Sequence, residues 1–380
     1  MKNKSVLKNI DYVLVGCVTL ILVAGFMALR SATVNASDFY GMNFVARQMA
    51  WSLIGYAAFF LILLFDYSKL AKYHVWLYVL NLGQLAAVLV FGKSVSGAQA
   101  WIPIGSYQFQ PAELAKILMI LGLAQFLVPR IGKLNKYTQM LPAFIYVGIP
   151  LGLILLQPDL GTGLVFVAIL FGMLLVAGAS PVKLLLLIVG GVGAVVFAIY
   201  AHYKWGLPIP LKDYQLMRLV VFVNPNIDPR GHGWNVIQAQ ITVGSGGLFG
   251  KGWGMGFQTA NEFLPTQWTD FIFCVLAEEF GFIGCAVLLI LFLVLIFRGI
   301  QIAQGAKDPY GALVAAGILS MYVFHVLQNV GMAVGIMPIT GIPLPFVSYG
   351  GSSLLANMAA LGIIMSIHIY KDTNMFNRPL

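Results

Sequence analysis

The sequence predicts an all-α polytopic membrane protein with about ten transmembrane helices. Of its 380 residues, 60% are hydrophobic and only 9% are charged. Soluble globular proteins have roughly 45–50% apolar and about 25% charged residues, so a water-soluble fold is excluded. Disorder is excluded as well, because disordered chains contain few apolar residues. The long, unbroken apolar runs indicate helices, since the strands of a membrane barrel would alternate in polarity.

Apolar runs near the length of a helical span, which needs about 20 residues, recur along the whole chain. The first run is too long for a signal peptide and is not followed by a small-residue cleavage site, so we interpret it as an uncleaved anchor. We interpret residues 1–380 as a single integral membrane domain. The ten predicted spans are 11–30, 44–65, 73–92, 112–128, 139–156, 160–177, 182–203, 271–297, 310–336 and 348–370.

The basic residues predict the orientation of these spans. Thirteen Lys and Arg residues lie in the N-terminal tail and in the short loops and tail predicted on the same side, against Arg30, Arg47 and Lys93 on the other. Cytoplasmic loops carry the excess of Lys and Arg, so both termini are predicted to be cytoplasmic. Residues 204–270 then form a long extracytoplasmic loop between the seventh and eighth spans. Long connections are commonly functional, and we interpret this one as a partly folded cap.

Three further features of the composition bear on possible metal, redox and nucleic acid binding sites. Cys17, Cys274 and Cys285 lie in apolar stretches without a CxxC pattern, which is typical of small buried side chains. The five histidines have no metal-ligand spacing, so no metal site is predicted from them. Carboxylates leave room for a loosely held divalent cation, Mg²⁺ or Mn²⁺. The net charge of +9 follows the loops of a membrane protein, so no nucleic acid partner is predicted.

Glu113 and Lys116 are charged residues in the fourth predicted span. Each such charge costs about 2.5–3.5 kcal/mol on insertion scales and therefore needs an explanation. Pro111 suits the first turn of a helix, and residues three apart share a helix face, so the two charges can pair. Two interpretations stay open: a structural ion pair, or an anion-binding Lys116 that Glu113 orients.

Two aspartates lie where spans begin. Asp159 precedes the sixth span as an ordinary N-cap, although its place at the outer face keeps a role in substrate binding open. Asp270 lies where the 204–270 loop enters the eighth span. A carboxylate in a partly apolar niche tends to have a raised pKa and to accept protons near neutral pH, while capping of the helix is the alternative. The helical period puts Glu278 and Glu279 on different faces, so at most one of them can support Asp270.

Two stretches rich in glycine or proline are also predicted to lie on the outer side of the membrane. Residues 244–252 lack the phosphate-loop pattern, but their backbone, with Arg218 and Lys251, is suited to bind a phosphate; a plain flexible loop is the alternative. Three prolines between residues 338 and 345 break any helix, and we expect a new helix to begin at Ser348. The N-terminus of such a helix attracts anions, and a simple turn is the alternative.

Together these segments resemble the SEDS family (shape, elongation, division and sporulation proteins), and the resemblance covers essentially the whole chain. The last two of its motifs are highly specific. Residues 250–253 and 277–279 favour the elongation branch of the family. The motifs, in chain order, are Trp101-Ile102 with 109–113, 157–162, 244–253, 269–273 with Glu278-Glu279, and 343–352.

The resemblance implies a GT-C-like membrane fold and an inverting peptidoglycan glycosyltransferase. Its substrate is lipid II, whose prenyl tail stays in the membrane lipid, and its implied partner is a class B penicillin-binding protein. Asp270 is the implied general base for the acceptor hydroxyl, and Trp101 resembles a residue tied to activity, by stacking on a sugar face. The remaining candidate substrate-binding residues are Lys116, Glu113, Arg218, Lys251, Asp159 and Ser348.

The main alternative function is a flippase or transporter of lipid-linked cell-wall precursors. A carrier favours coupling carboxylates near the middle of the membrane and repeated halves. This sequence has no internal repeat and clusters its polar residues at the predicted outer boundary. Both features favour the polymerase. A third interpretation, a scaffold that only anchors a partner, predicts that Asp270 is dispensable.

Overall fold

The computed structural model describes residues 9–34, 36, 41–95, 98–105, 107–208 and 212–371. This part of the chain is mostly helical, with three short 3-10 segments at Tyr67–Tyr73, Val128–Arg130 and Pro225–Ile227. The α-helices are α1 (Tyr12–Ala32), α2 (Phe44–Leu63), α3 (His74–Phe91), α4 (Pro111–Leu127), α5 (Tyr137–Leu156), α6 (Leu160–Val176), α7 (Pro181–Trp205), α8 (Asp213–Val223), α9 (His232–Ser245), α10 (Phe257–Ala260), α11 (Ile272–Gln304), α12 (Pro309–Ala333) and α13 (Gly351–Ile369).

Ten of these helices correspond to the ten predicted spans. Within the described residues, nine helices are long and apolar enough to cross a membrane, and the shorter apolar helix α6 is the tenth. Helices α4, α12 and α13 are the most enclosed, with 78%, 72% and 78% of their apolar windows buried, whereas α7 has 11% buried. Helices α4, α12 and α13 therefore form the centre of the bundle, and α7 presents its side chains to lipid. The all-α multi-pass membrane fold is confirmed.

Ion pairs connect the start of α1 to the last turns of α11, and the connection after α2 to the connection after α11. Asp11 caps α1 and its carboxylate lies 2.6 Å from Arg298 at the end of α11. The Asp11 amide also lies 3.4 Å from the sulfur of Met365, near the end of α13. Lys307 pairs with Asp66 at 3.1 Å. The first and last described helices therefore begin and end at the same end of the bundle.

A small antiparallel sheet between α3 and α4 was not predicted. Its strands are β1 (Lys93–Val95), β2 (Ala98–Ile104) and β3 (Tyr107–Phe109), in the order β1-β2-β3. Two of its strands, β1 and β3, have only three residues each, too few for a polarity pattern that differs from that of a loop. The Tyr107 hydroxyl shares a hydrogen bond with the Ser352 hydroxyl, which ties the sheet to the start of α13.

The eighth span was predicted as an uninterrupted helix over 271–297, but α11 is longer and is broken at Gly281. There φ is 65° and ψ is −165°, and a Cβ atom would lie 2.3 Å from the Gly250 amide nitrogen. The glycine run 244–252 fills the break. Amides of residues 282–283 donate to carbonyls of the run, and amides of the run donate to the carbonyls of residues 278–279. The broken backbone is thereby satisfied.

The 204–270 segment is partly folded, as predicted. It contains α8, α9 and α10, and its first residues still belong to α7, which continues to Trp205. The segment packs back onto the bundle through α9, which contacts α11 and α12. The Tyr349 amide bonds the carbonyl of residue 268 and Tyr107 of the sheet bonds Ser352, so the end of the segment and the sheet lie at the same end of the bundle.

Candidate functional site

Asp270 is the last residue of the 204–270 segment and lies just before α11. Three successive backbone carbonyls at this point accept hydrogen bonds from other elements. The carbonyls of residues 268–270 accept hydrogen bonds from the Tyr349 amide, the Ser348 hydroxyl and the Asn329 side-chain amide, at 2.9, 2.6 and 2.8 Å. These carbonyls precede α11, outside its own hydrogen bonds, and buried backbone carbonyls need a partner. Neighbouring elements supply the partners instead, and the position of Asp270 is fixed.

The surroundings of the Asp270 carboxyl change its acidity. Burial raises its pKa from the ordinary 3.8 to about 6, and the Asp159 charge acts in the same direction. The Arg218 charge and a hydrogen bond from Thr269 lower the pKa and oppose the effect of burial. The side chain keeps partial exposure. A carboxyl with a pKa near 6 is mostly ionised at neutral pH and is a stronger proton acceptor than an ordinary aspartate.

Asp270 faces a turn that contains Gly341. Gly341 has a φ of +75°, and a Cβ atom built on it would lie 3.4 Å from Oδ2 of Asp270. A side chain at this position would be strained and would lie against the carboxylate, so glycine permits the close approach. The turn is the proline-rich stretch that was predicted to break a helix.

Arg218 and Asp159 reach this site through α8 and the turn before α6. Arg218 lies over the Tyr214 ring at 5.6 Å, and the Tyr214 hydroxyl donates to the Pro158 carbonyl at 3.0 Å. Asp159 accepts hydrogen bonds from the amide and the hydroxyl of Thr162, at 2.9 and 2.8 Å. The predicted N-cap is therefore confirmed. Its additional role in substrate binding stays a prediction.

Lys116 and Glu113 form the predicted ion pair inside the bundle. Their N–O distance is 2.9 Å, and the two side chains are 2% and 5% exposed. The Lys116 ammonium also lies 3.2 Å from Nε2 of His325, whose Nδ1 lies 3.2 Å from the Pro343 carbonyl. A carbonyl only accepts, so Nδ1 carries the proton and Nε2 accepts from Lys116. The pair is thus linked to the turn that faces Asp270.

Lys251 is engaged by a buried carboxylate. Its Nζ lies 2.7 Å from Oε1 of Glu278. The glycine run was expected either to cradle a phosphate or to be flexible, and the structure supports neither interpretation. The amides of residues 250–252 donate to protein carbonyls at 2.8–3.0 Å, because the run completes the broken backbone of α11. A role for Lys251 in substrate binding stays a prediction.

Ser348 does not begin a helix, which corrects the expectation from sequence. Helix α13 starts at Gly351, and Ser348 lies in the preceding turn. Its hydroxyl donates to the Thr269 carbonyl and accepts from the Leu344 amide at 2.8 Å. Gln48 of α2 bonds the Ser348 carbonyl and the Gly350 amide. These bonds hold the residues before Gly351 in a turn.

Trp101 lies on β2 opposite Lys93 and is partly buried. Its sheet is fastened by Tyr107, whose ring centroid lies 4.5 Å from that of Trp51. Tyr107 also bonds Ser352 at the start of α13. Stacking of Trp101 on a sugar face stays a prediction.

The structure therefore brings Asp270, Arg218, Asp159 and Ser348 to one site, and connects Lys116 and Glu113 to it through His325. Lys251 is held instead by Glu278, farther along α11. Sequence reasoning did not find Asn329, His325 and Gln48. All three are buried polar side chains in apolar helices, a signal that marks such residues for attention.

A metal centre made only of protein ligands does not fit this site. Across the described ranges, no group of three or more His, Cys, Asp or Glu side chains comes close enough to hold a metal ion. Mg²⁺ is commonly bound by one or two carboxylates together with substrate phosphates. The divalent cation expected from the sequence stays a prediction.

The comparisons with known proteins agree with this architecture. A family model described as cell cycle protein, of the FtsW/RodA/SpoVE type, matches residues 11–373. Peptidoglycan glycosyltransferase RodA of Treponema pallidum is 33% identical, covering 95% of this chain and 98% of the relative. Stage V sporulation protein E of Bacillus subtilis is 38% identical, covering 95% and 97%. Peptidoglycan glycosyltransferase MrdB of Escherichia coli is 40% identical, covering 78% of each chain.

Solved structures give the same result. A chain of a peptidoglycan synthase complex, described as coordinating polymerization and crosslinking, superposes with a TM-score of 0.80 at 32% identity, covering 95% of this chain and 98% of that one. The rod shape determining protein RodA of Thermus thermophilus superposes with a TM-score of 0.68 at 31% identity, covering 95% and 97%. The family that the sequence resembles is confirmed.

Proposed function

This chain belongs to the FtsW/RodA/SpoVE family of cell cycle proteins, the SEDS family, and from that premise we propose how its Asp270 site polymerises lipid II. The protein is a peptidoglycan glycosyltransferase, as its RodA and MrdB relatives are. Their names support this interpretation and not the flippase. The product is a glycan strand of the cell wall, and matches to proteins named RodA agree with the elongation branch.

In the proposed reaction, Asp270 takes the proton of the acceptor's GlcNAc 4-hydroxyl. The hydroxyl oxygen forms a bond to the anomeric carbon of the donor MurNAc, while the bond from that carbon to the pyrophosphate breaks. Undecaprenyl pyrophosphate leaves with the electron pair. A direct displacement inverts the carbon and needs one carboxylate as base, with no second carboxylate as nucleophile. A positioned base contributes about 10²–10⁴ in rate, or roughly 3–5 kcal/mol.

The departing pyrophosphate needs positive charge, and Arg218 is the cation whose field reaches Asp270. Fixed charges and donors are most effective when they are aimed at the charge that develops in the transition state. Arg218 is partly buried on α8, with its guanidinium over the Tyr214 ring. Lys116 is enclosed, and we assign it to holding the turn that faces Asp270 through His325.

We propose a divalent cation, Mg²⁺ or Mn²⁺, only because such ions bind carboxylate and phosphate oxygens. The carboxylate of Asp159 is a candidate for binding it together with pyrophosphate oxygens. Such an ion would supply positive charge to the leaving group. The roles of base and leaving-group cation given above do not depend on it.

We place both termini in the cytoplasm and the Asp270 site on the outer side of the membrane. The excess of Lys and Arg on the side of the N-terminus supports this orientation. Two of these basic residues, Arg298 and Lys307, form ion pairs at the bundle end opposite the site. The orientation suits a substrate whose prenyl tail stays in lipid while its sugars lie outside.

We also propose a class B penicillin-binding protein as the partner. The support is the similarity to a chain of a peptidoglycan synthase complex that couples polymerization and crosslinking. A glycan strand made at the Asp270 site is the substrate that a crosslinking enzyme requires. Activity assays should therefore contain the partner.

The observation that carries the proposal is a fixed, partly exposed carboxyl whose pKa is raised to about 6. The test uses purified protein with lipid II and the partner, and reads glycan chains on a gel. Asp270→Asn should reduce polymerisation by about 10²–10⁴-fold while insertion and partner binding are kept. Asp213→Asn, an exposed aspartate of the same segment, is the matched control and should polymerise normally.

Normal polymerisation by Asp270→Asn would show that the base is assigned wrongly. Movement of labelled lipid II across sealed vesicles without polymer would favour the flippase instead. Either result would remove the proposed mechanism.

A further inference from the structure

Asn329 of α12 joins Asp270 to the turn that faces it. Its side chain is 0% exposed. Its Nδ2 atom donates to the Asp270 carbonyl and to the Ile342 carbonyl, each at 2.8 Å. A primary amide has two N–H groups, so both are used, one on each of two segments far apart in sequence. The separation of the two carbonyls is therefore set by a single rigid group.

This separation matters because the carboxylate of Asp270 lies against the same turn. Gly341 directly precedes Ile342, and a Cβ atom built on Gly341 would lie 3.4 Å from Oδ2 of Asp270. Ser348 and Tyr349 also connect the same two segments, by donating to the carbonyls of residues 269 and 268. Asn329 is the one of these three residues that bonds the carbonyl of Asp270 itself.

Asn329 also carries an unsatisfied acceptor. Its Oδ1 is buried and has no hydrogen-bond partner within the described residues. Leaving such an acceptor unpaired costs about 1–3 kcal/mol, and an apolar residue of the same shape would avoid that cost. The presence of an amide at this position is explained by its two donated hydrogen bonds.

We propose that Asn329 is a positioning residue for Asp270 in glycosyl transfer, an inference that rests on the proposed function. The amide does not touch the substrate. It acts through the backbone of Asp270 and holds the carboxylate at a constant distance from the turn. A displacement of about 1 Å at a reacting group can cost about 100-fold in rate.

The adjacent residue, Gln328, supplies a matched control. It lies on the same helix, its side chain is 3% exposed, and its Nε2 donates to the Pro338 carbonyl at 2.8 Å. Like Asn329, Gln328 uses its side-chain amide to donate to a backbone carbonyl of the segment between α12 and α13. That carbonyl belongs to Pro338, which does not adjoin Asp270. Asn329→Leu and Gln328→Met are replacements of similar shape that remove only the amide.

The experiment measures initial rates of lipid II polymerisation across pH, with the full chain and its partner. We expect Asn329→Leu to lower kcat about 10- to 100-fold. We also expect the acidic limb of its pH profile to move to lower pH. The released carboxyl gains contact with water, so its pKa falls, while the groups that face it, Arg218, Asp159 and Thr269, are unchanged. Gln328→Met should keep the wild-type profile.

A structural role alone would lower the amount of active protein and leave the pH profile unmoved. If Asn329→Leu does not fold, Asn329→Ser keeps one donor and should show a smaller loss with a smaller shift. Wild-type rates in the folded Asn329 variant, or equal losses in the Asn329 and Gln328 variants with unshifted profiles, would overturn the positioning role. An active Asp270→Asn protein would refute the proposed function instead, so the two failures are distinguishable.

Discussion

Two carboxylates on the same stretch of chain, Asp270 and Glu278, have opposite surroundings. Glu278 is buried and accepts from the Lys251 ammonium at 2.7 Å and from the amide and hydroxyl of Thr259 at 3.0 and 2.8 Å. Asp270 is partly exposed, and burial outweighs the Arg218 charge, so that its pKa rises to about 6. Glu278, whose carboxylate accepts several hydrogen bonds, stabilises the fold. Asp270, which is fixed through its backbone, keeps a carboxylate that can accept a proton.

The difference follows from what each residue must do. Glu278 fastens the glycine run that fills the break in α11, because its carboxylate accepts hydrogen bonds from Lys251 and Ser245 of that run. Asp270 is fixed through its backbone by neighbouring elements, and the effect of burial on its carboxylate exceeds that of the Thr269 hydrogen bond and the Arg218 charge. The site therefore gains fixed geometry without losing basicity.

The largest effect on the structural side of this comparison is expected for Glu278→Gln. The substitution leaves Lys251 without its charge partner and turns an acceptor into a donor that faces other donors, so we expect a loss of about 3 kcal/mol in stability. Thermal unfolding in detergent measures it. The polymerisation rate per folded molecule should stay near the wild-type value.

Glu262→Gln, an exposed glutamate of the same segment, is the control and should unfold like the wild type. A large loss of rate in Glu278→Gln with unchanged stability would break the comparison, because it would place both carboxylates in the chemistry.

A smaller effect is expected for Arg218→Gln on the chemical side. Arg218 lowers the pKa of Asp270, so its removal should raise that pKa above about 6. The base works only when deprotonated. The acidic limb of the pH profile should therefore move to higher pH, by about one unit, and the rate at neutral pH should fall.

Arg230→Gln removes an exposed arginine of the same segment and should leave the limb in place. If Arg218→Gln shifted the limb to lower pH, Asp270 would not be the titrating base.

The smallest effect is expected for Lys251→Met. The Lys251 side chain is 31% exposed, and Glu278 keeps its bonds to the amides of residues 258–259, so the loss of stability should be about 1 kcal/mol. The KM for lipid II should not change. A higher KM, absent in the control Lys204→Met, would instead support the sequence-based prediction that Lys251 binds pyrophosphate.

Several features of the site were predictable because they depend on local spacing. Glu113 and Lys116 are three residues apart on one helix, and they pair as expected. Asp159 precedes a helix and caps it. The break at Gly281 was not predictable, since it depends on the glycine run that fills it, and the hydropathy of α11 continues across it.

Ser348 shows the same limit. The prolines before it predict the end of one helix, but the place where α13 begins is decided by the bonds of Ser348 and Gln48 to other segments. Asn329 was overlooked because a polar residue in an apolar helix does not reveal its partners.

The amino-acid sequence was sufficient for the membrane class, the ten spans and the family. Backbone polar groups must be satisfied within lipid, so long apolar runs have no stable form other than helices. Which polar residues meet was decided only by tertiary packing. His325 contacts Lys116, and Asn329 contacts the backbone of Asp270, across long separations in sequence. Hydrogen bonds and ion pairs act over a few ångströms, and for residues far apart in sequence their spacing along the chain does not encode such a distance.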